Sequence, residues 1–464
     1  MCNVSLNGTQ PSDASIRVLR ALEAAGLEAW YVGGWVRDAL MGRPSHDVDM
    51  CCSGLWQESK AALEAADIAV VESGIKFGGI TAICDGERIE VTTYRLDGFY
   101  TDGRHPQSVE RAASLEDDLA RRDFTVNAMA WHPERGLVDR YDGQGDLDRK
   151  LIRAVGDPKR RFNEDALRML RAVRFACRLD FMIEPATKQA LAECAPLLDA
   201  VARERVGIEL EGILSTGHGG DAMLRYPELI CAAVPELAAG RGFDQRSVYH
   251  AFNVYEHIAR VLTVAGELAL CDGVVPSSSL MWAAFLHDVS KPECFTVDHA
   301  GSGHFYGHPE LGAKKARVIM DRLALSHDLV RDVFLLIKYH DKPLRPERSC
   351  LLNMMRALSG EGVDTPRLID ELMDLKRADT LGKAPSCFYY VETIEEMRSH
   401  AHELLEAGEP YTLKMLAING GDLIRAGVQP GPELGQLLNA ALDAVIEDNV
   451  PNDRVALLAH LNLG

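Results

Sequence analysis

Residues 32–50 constrain this chain most, because they place two glycines a short distance ahead of two closely spaced aspartates. Asp47 and Asp49 flank one apolar residue, and side chains alternate along a strand, so both carboxylates are predicted to share one face. Neighbouring carboxylates repel each other unless a divalent cation neutralises them. Gly33 and Gly34 lack a Cβ, so the backbone amides can approach phosphate oxygens. The segment therefore predicts a site for a metal-bound nucleoside triphosphate, against the alternative of a glycine turn followed by a solvated acidic loop.

The chain has 464 residues, which is too long for one core and predicts about three domains. No apolar stretch approaches the roughly 18 residues that a membrane helix needs, and the first residues lack the pattern of a signal peptide. The eleven cysteines include no CxxC pair, which is typical of free thiols in a reducing compartment. These features predict a cytoplasmic protein that does not enter a membrane.

Strand and helix patterns alternate as far as about residue 155, and helical periodicity then continues almost to the end. The pattern predicts the α+β class, with a mixed α/β head followed by all-α regions. Stretches rich in glycine, proline and serine are candidate boundaries, and the predicted regions are 1–155, 156–245, 246–402 and 403–464. The predicted head elements are a helix capped by Ser12 and ending at Gly26, a strand at 27–32, a helix at 35–41, a strand at 46–52 and a hairpin at 83–94 that turns at Asp85 and Gly86.

Glu90 lies in the second arm of this hairpin. Ile89 and Val91 face one side of the strand and Glu90 faces the other. Glu90 is therefore predicted to be a third catalytic carboxylate beside Asp47 and Asp49, although a surface glutamate fits the pattern nearly as well.

Two further motifs complete a set with the first, namely RRDFTVNAMAW at residues 121–131 and NEDALRMLRAVRF at residues 163–175. In this order the three resemble the class II tRNA nucleotidyltransferases, that is, the bacterial CCA-adding enzymes and the related bacterial poly(A) polymerases of the polymerase β superfamily. The resemblance extends through most of the chain. It implies a polymerase β-like nucleotidyltransferase head, a helical neck and body that carries the nucleotide template and RNA binding, and a helical tail.

In the first motif, the resemblance implies that Asp47 and Asp49 bind two catalytic Mg²⁺ ions. The ions would activate the 3′-hydroxyl of the RNA end and neutralise the departing pyrophosphate. Arg37 is expected to bind triphosphate, a bidentate task that suits guanidinium. The alternative for Arg37 is a surface pair with Asp38.

In the second motif, the resemblance implies that Arg122, Asp123 and Asn127 surround the sugar and read the ribose 2′-hydroxyl. This reading selects ribonucleotides. For Arg122 and Asp123 the alternative is a structural ion pair at a strand end.

In the third motif, Asp165 and Arg168 are three residues apart on one predicted helix and so point the same way. One acceptor and one fixed donor fork fit the edges of cytosine and adenine, whereas guanine and uracil leave buried groups unpaired. The resemblance implies that this pair serves as a protein template in place of nucleic acid. An intrahelical salt bridge would explain the same spacing.

Arg168, Arg171, Arg174 and Arg178 form a stripe on that helix, and it is predicted to contact the triphosphate or the acceptor-stem backbone. The net charge of −19 argues against nucleic-acid binding through the whole surface. Residues 149–178 nevertheless hold ten Lys or Arg against three acids. A polyanion is predicted to dock there, and the alternative is a solvated helix face.

Residues 95–110 resemble the flexible loop of the family, which enables the switch from C to A addition. This favours full CCA addition over CC addition alone. Residues 403–464 hold nine acids against three Lys or Arg, a balance that suits a shape-selective tRNA reader better than a general RNA clamp. The predicted partners are the tRNA 3′ end and acceptor stem, CTP and ATP.

Eight of the fifteen histidines fall between His250 and His340. His257, then the pair His287 and Asp288, then Asp341 resemble the metal-binding set of the HD phosphohydrolase superfamily, which implies an HD domain at 246–402. Imidazole and carboxylate together bind a divalent metal that can activate water against a phosphoester. Lys291 is expected to contact phosphate, with His304 and His308 as further candidates, and a lone histidine here is more often structural.

The favoured prediction is a tRNA nucleotidyltransferase that adds C, C and A to the 3′ end from CTP and ATP, with an accessory HD activity. Poly(A) polymerase is the runner-up, because it shares the head and neck. In a third reading the HD domain is the principal activity and the head senses nucleotide; the two aspartates of the first motif argue against it.

Overall fold

The computed structural model describes the chain except residues 1–5, 7, 8, 46, 74, 76, 77, 98–108, 272 and 464, and the side chains of residues 96, 97 and 109–111. The described residues form two compact units. The first comprises Met1–Leu210 with Tyr226–Ala233, and the second comprises Glu211–Arg225 with Val234–Gly464. The finer division into four regions stays a prediction.

The head of the first unit is built on a mixed sheet whose described strands run in the order β3-β4-β5-β2-β1-β8-β9. Strands β2 and β5 are parallel, and the other neighbours in this sheet are antiparallel. The strands of this unit are β1 (Ala29–Val32), β2 (Val48–Cys52), β3 (Ala69–Val71), β4 (Gly79–Cys84), β5 (Glu87–Thr93), β6 (Arg95–Asp97), β7 (Val109–Arg111), β8 (Met129–His132), β9 (Gly136–Asp139), β10 (Leu151–Ile152) and β11 (Met182–Ile183). The predicted mixed α/β head is thus confirmed.

Helices alternate with strands in the head and dominate the rest of the chain. As far as residue 214 they are α1 (Asp13–Ala24), α2 (Gly34–Leu40), α3 (Trp56–Ala65), α4 (Leu115–Ala120), α5 (Gly143–Asp148), α6 (Pro158–Glu164), α7 (Leu167–Leu179), α8 (Pro185–Cys194) and α9 (Arg203–Leu214). Beyond it they are α10 (Gly219–Arg225), α11 (Pro227–Ala233), α12 (Val254–Cys271), α13 (Ser278–Leu286), α14 (His308–Arg322), α15 (His327–Tyr339), α16 (Arg348–Leu358), α17 (Thr365–Gly382), α18 (Tyr390–Glu406), α19 (Gly420–Arg425), α20 (Pro432–Ile446) and α21 (Arg454–His460).

Local sequence patterns account for the head elements. Ser12 caps α1, since its side chain accepts a hydrogen bond from the Ser15 amide. Asp85 and Gly86 both have positive φ, as a two-residue hairpin turn requires, so the predicted hairpin is confirmed. The core between sheet and helices includes Tyr31, which packs on the indole of Trp35 at 4.6 Å between ring centroids.

One predicted helix is broken in the structure, and this corrects the expected relation between Asp165 and Arg168. Helix α6 ends at Glu164 and α7 begins at Leu167, with Asp165 extended between them at φ −146° and ψ 106°. The Asp165 carboxylate accepts a hydrogen bond from the Leu167 amide at 3.0 Å. Short acidic side chains favour such local bonds over a helix interior, which is why the helix stops here.

The second unit is helical apart from the short antiparallel pair of β12 (Thr296–Val297) and β13 (Gly303–His304). Helices α12, α13, α15 and α17 pack on one another around the fully buried indole of Trp282 and a set of buried histidines. Among the described residues, no helix is both long and apolar enough to cross a membrane. The predicted change from a mixed head to helical regions is confirmed.

Candidate functional site

A cleft of about 1150 Å³ opens in the first unit beside the carboxyl-bearing strands. All three sequence motifs contribute to its lining, but Asp165 and Arg168 of the third motif do not. Of the predicted site residues, the cleft is lined by Gly33, Gly34, Arg37, Asp47, Asp49, Glu90, Arg122, Asp123, Asn127, Arg171 and Arg174, together with Phe175 and Arg178.

Three carboxylates share one side of this cleft. Asp49 on β2 is in register with Glu90 on the parallel strand β5, and Asp47 directly precedes β2. Val48 between the aspartates is buried, as the alternation of side chains predicted. Burial and repulsion from Glu90 raise the pKa of Asp49 to about 6, with a smaller contribution from Asp47. A divalent cation would relieve this repulsion, so the donor set fits a metal.

Gly33 lies in the glycine turn, next to the charged side chains of Asp49 and Arg122. Its φ is +68°, and a Cβ at this position would lie 2.9 Å from Arg122 Nη1 and 3.6 Å from Asp49 Oδ2. A side chain here would be strained by the backbone conformation and would require the Arg122 guanidinium to move. The role of Gly33 and Gly34 in phosphate binding stays a prediction.

Arg37 lies in α2 with 4% of its surface exposed. Its Nε and Nη2 donate to the Asp38 carboxylate at 2.8 and 2.9 Å, and its Nη1 donates to Asn127 Oδ1 at 2.7 Å. The pair with Asp38 is thus present, but it is buried at the cleft wall and is not a surface pair. Triphosphate binding by Arg37 stays a prediction.

Asp123 and Arg122 have different ionic partners. Asp123 Oδ2 accepts from Arg171 Nε and Nη2 at 2.9 and 2.7 Å, while Asn127 Nδ2 donates to Oδ1 at 3.2 Å. Although burial opposes ionisation, Arg171 holds the pKa of Asp123 below its usual range. Arg122 Nη2 instead donates to the fully buried Asp118 at 3.1 Å. Sequence reasoning missed Asp118, although its spacing of four residues from Arg122 was a signal.

The two predicted template residues have other partners in the described structure. Asp165 Oδ2 accepts from Arg205 Nη2 at 2.8 Å. Arg168 Nη1 donates to Glu164 Oε2 at 2.8 Å, and its Nη2 donates to the Arg121 carbonyl at 3.0 Å. Neither Asp165 nor Arg168 belongs to the lining of the cleft. The arginine stripe on α7 is confirmed as a helix face, with Arg171, Arg174 and Arg178 at the cleft.

The loop expected to switch nucleotide choice is described only at its ends. Strands β6 and β7 pair Arg95 with Arg111 and Asp97 with Val109. Residues 98–108, which hold most of the predicted loop, lie outside the described residues.

A second candidate site lies within the second unit, where four histidines surround Asp288. Two groups of side chains each have ligand atoms within 4.8 Å of one another, and both groups contain Asp288. All members are 5% exposed or less. The first group is His257, His287 and Asp288, and the second is Asp288, His308 and His340.

Backbone carbonyls orient these histidines. His287 Nδ1 bonds the Ala284 carbonyl at 2.9 Å, His308 Nδ1 bonds that of Phe305 at 2.8 Å, and His340 Nδ1 bonds that of Ile337 at 2.7 Å. In each case the carbonyl belongs to the residue three positions before the histidine. His257 Nδ1 bonds the Gly382 carbonyl at 3.2 Å. Each carbonyl requires the proton on Nδ1, which leaves the Nε2 lone pair to bind a metal.

The Nε2 atoms face the Asp288 carboxylate. They lie 3.3 Å from it for His257, 3.2 Å for His287, 3.4 Å for His308 and 3.8 Å for His340. Burial opposes ionisation of Asp288, yet His287 and Lys291 Nζ hold its pKa well below the usual range. Lone pairs and a carboxylate that converge in a buried space fit a divalent cation.

The structure adds a further aspartate, Asp379, beside His257, and metal binding by Asp341 stays a prediction. Asp379, 6% exposed on α17, has Oδ1 3.1 Å from His257 Nε2, whereas Asp341 is exposed at the rim of a cleft of about 280 Å³. Sequence reasoning missed Asp379 and His340, because the sequence pattern does not reveal which of two aspartates faces a helix 122 residues earlier in the chain.

The remaining candidates line the same small cleft. Lys291 Nζ lies 2.6 Å from Asp288 Oδ2 and donates to Gln245 Oε1 at 3.2 Å. His304 pairs with Asp298 at 2.9 Å, outside the histidine cluster that includes His308. Phosphate binding by Lys291 stays a prediction.

Family models match four segments of the chain. A model described as the poly A polymerase head domain matches residues 29–153, and one described as the HD domain matches residues 254–383. The "Probable RNA and SrmB- binding site of polymerase A" matches residues 180–239, and a model for tRNA nucleotidyltransferase domain 2 matches residues 389–461.

Full-length relatives agree with these segments. A CCA-adding enzyme of Leuconostoc mesenteroides is 32% identical over 447 residues, covering 95% of this chain and 93% of the relative. One of Pediococcus pentosaceus is 32% identical over 454 residues, covering 96% of each. The structure of the Bacillus stearothermophilus CCA-adding enzyme in complex with CTP matches with a TM-score of 0.72 and 26% identity, over 98% of both chains. The fold of the Thermotoga maritima enzyme complexed with tRNA matches with a TM-score of 0.59 at 21% identity, over 100% of this chain and 98% of that one.

Proposed function

Because this chain belongs to the CCA-adding enzyme family of tRNA nucleotidyltransferases, we propose that the cleft of its first unit completes the 3′ CCA end of tRNA from CTP and ATP. The observation that carries the proposal is the pairing of Asp49 with Glu90 in a cleft that is also lined by arginines. The metal needs carboxylates and the triphosphate needs cations, so a metal-bound nucleoside triphosphate requires both.

The carboxylates Asp47, Asp49 and Glu90 would hold the catalytic divalent metal, which we take to be Mg²⁺. Bound there, the metal supplies activation of the RNA 3′-hydroxyl and neutralises the pyrophosphate that leaves. The three carboxylates fix its position, since two strands hold Asp49 and Glu90 in register.

Three arginines of the cleft lining, Arg37, Arg171 and Arg174, would bind the triphosphate. Their guanidinium groups are planar donors that match phosphate oxygens. Asp123 and Asn127, which are bonded to each other, would read the ribose hydroxyls with Arg122 nearby.

Base selection by Asp165 and Arg168 rests on the family motif. Asp165 accepts a hydrogen bond from Arg205, and Arg168 donates to Glu164. These partners would orient the carboxylate and the guanidinium toward the edge of cytosine or adenine. Guanine and uracil would leave buried donors or acceptors unpaired.

The test is extension of tRNA that lacks its 3′ end by the purified protein, with each nucleotide alone and with CTP and ATP together. Termination after CCA is the expected result. Termination after CC, or continued addition of A, would assign CC addition or poly(A) synthesis instead. Poly(A) synthesis remains the second candidate, because the model that matches the head is that of a poly A polymerase.

For the second unit we propose metal-dependent hydrolysis of a phosphoester at Asp288. The support is the set of four Nε2 atoms that face its carboxylate, with Lys291 beside it as a cation for phosphate. His287→Ala should remove metal and hydrolysis while CCA addition continues. Loss of both activities would show that this residue is structural.

The cysteines bear on the compartment. Ten cysteines lie in the described part of the chain and all are free thiols. Free thiols persist in a reducing environment, so we infer that the protein works in the cytoplasm.

A further inference from the structure

Phe175 on α7 lies at the cleft with 7% of its surface exposed, and three guanidinium groups surround its ring. The distance from the guanidinium carbon to the ring centroid is 5.4 Å for Arg37, 5.4 Å for Arg171 and 4.8 Å for Arg174. All three distances are within the range of a cation–π interaction. One aromatic ring thus contacts arginines from two helices at the same wall.

Each of these arginines is also paired with a carboxylate, and Glu209 Oε1 in addition lies 3.9 Å from Arg171 Nη1. Arg37 is paired with Asp38, Arg171 with Asp123, and Arg174 donates to Glu209 Oε2 at 2.6 Å. The three acids come from separate parts of the sequence. The ring is therefore the group that the three cations have in common.

The ring is fixed from behind. The fully buried ring of Phe124 meets it edge on, with 5.9 Å between centroids and an interplanar angle of 77°. Phe124 directly follows Asp123, so ring and carboxylate are attached to the same short segment. Edge-to-face packing of this kind resists rotation of the ring.

Three like charges around one point repel each other, and the electron-rich face of an aromatic ring offsets part of that repulsion. Side chains that are ordered before binding lose less entropy when they receive a ligand. Resting on the function proposed above, we propose that Phe175 is a positioning residue for nucleotidyl transfer. Its ring holds Arg37, Arg171 and Arg174 in the arrangement that receives the triphosphate.

This role predicts a particular pattern of effects. The triphosphate is common to CTP and ATP, so loss of the ring's electron density should weaken both nucleotides equally. Base choice and the turnover number should change little, because the ring touches neither base-selecting residues nor the carboxylates in any contact described for it.

The test replaces Phe175 in the full-length protein by phenylalanines that carry one, two and three fluorines. Fluorine withdraws electron density from the ring while its shape is nearly retained. The dissociation constants of CTP and ATP are measured directly, and KM and kcat are measured with tRNA that lacks its 3′ end. We expect both dissociation constants and both KM values to rise stepwise with fluorination, to about tenfold with three fluorines, while kcat changes less than about twofold.

Phe162 is the matched control, because it is fully buried on α6 and is not part of the cleft lining. The same fluorinated series at Phe162 should leave nucleotide binding unchanged. Dissociation constants that stay flat across the Phe175 series, or that change equally at Phe162, would overturn the positioning role. Direct binding keeps this result separate from the proposed function, which fails instead if the unsubstituted protein adds no nucleotide to tRNA.

Discussion

The cleft of the first unit and the histidine centre of the second differ in how their polar groups are held. In the cleft, Arg37, Arg171 and Arg174 are each paired with a carboxylate, and Asp49 and Glu90 repel each other across adjacent strands. In the histidine centre, the ligands are fixed by backbone carbonyls and converge on one aspartate. This difference predicts that the arginines of the first site change partners when a ligand binds, whereas the ligands of the second site would hold a metal in a fixed position.

The largest expected effect separates the two sites completely. Asp49→Asn removes a charge that no neighbour replaces, so nucleotidyl transfer should fall about a thousandfold. Metal content and hydrolysis in the second unit should be unchanged. Transfer is followed with tRNA that lacks its 3′ end, and Asp67→Asn at an exposed turn is the control. A variant that retains transfer would remove Asp49 from the metal site.

The next comparison lies within the histidine centre. Asp379→Asn should lower its metal affinity about tenfold to a hundredfold, because His257 loses the carboxylate that contacts its ring. Asp341→Asn is the matched control at the exposed rim and should bind metal as the unsubstituted protein does. Metal content after dialysis measures both, and CCA addition should be equal in the two variants. A stronger effect of Asp341→Asn would support the choice made from sequence.

The histidine centre could hold one metal ion or two, because both groups of ligands share Asp288. His340→Ala removes a ligand from one group only. If the groups hold separate ions, metal content should fall by about half, and if one ion uses both groups, its affinity should fall about tenfold to a hundredfold. Retention of full metal content and affinity would make His340 structural.

A smaller effect should appear as a dependence on pH in the cleft. Asp49 has a raised pKa of about 6, so below that pH the metal-free carboxyl holds a proton that a cation must displace. The Mg²⁺ concentration that half-saturates nucleotidyl transfer should rise about tenfold for each pH unit below this value and level off above it. Mg²⁺ titrations of activity at a series of pH values measure this. Glu90→Gln removes part of the repulsion and should move the change to lower pH, whereas a flat dependence would contradict the shift.

The smallest expected effect concerns base choice. Arg205→Ala frees Asp165 from its ion pair, so its carboxylate is less well oriented, and discrimination between CTP and UTP should fall about fivefold. Arg203→Ala is the control, since Arg203 pairs with the exposed Asp199. Competition between the two nucleotides gives the ratio. Unchanged discrimination would separate Arg205 from base selection.

Local patterns predicted much of the first unit. The alternation around Val48, the turn at Asp85 and Gly86, and the stripe of arginines on α7 each depend on residues a few positions apart. Such patterns follow from the geometry of strands and helices, which is why they can be read from sequence.

Partners that are distant in the chain were not predictable in the same way. Asp123 and Arg171 are 48 residues apart, and His257 and Asp379 are 122 apart. The break at Asp165 was missed for another reason, since a side chain bond to the following backbone competed with helical periodicity. Periodicity identifies a face, whereas the partner on that face is decided by packing.

The carbonyls three positions before His287, His308 and His340 affect how the second site responds to mutation. A point mutation can delete a side chain that orients a ligand, but it cannot delete a main-chain oxygen. Any substitution of Ala284, Phe305 or Ile337 that the packing tolerates therefore leaves each imidazole with its hydrogen-bond partner. Only a change that moves the backbone should disturb the orientation of the imidazoles. That orientation therefore depends on the path of the main chain more than on the identity of the neighbouring side chains.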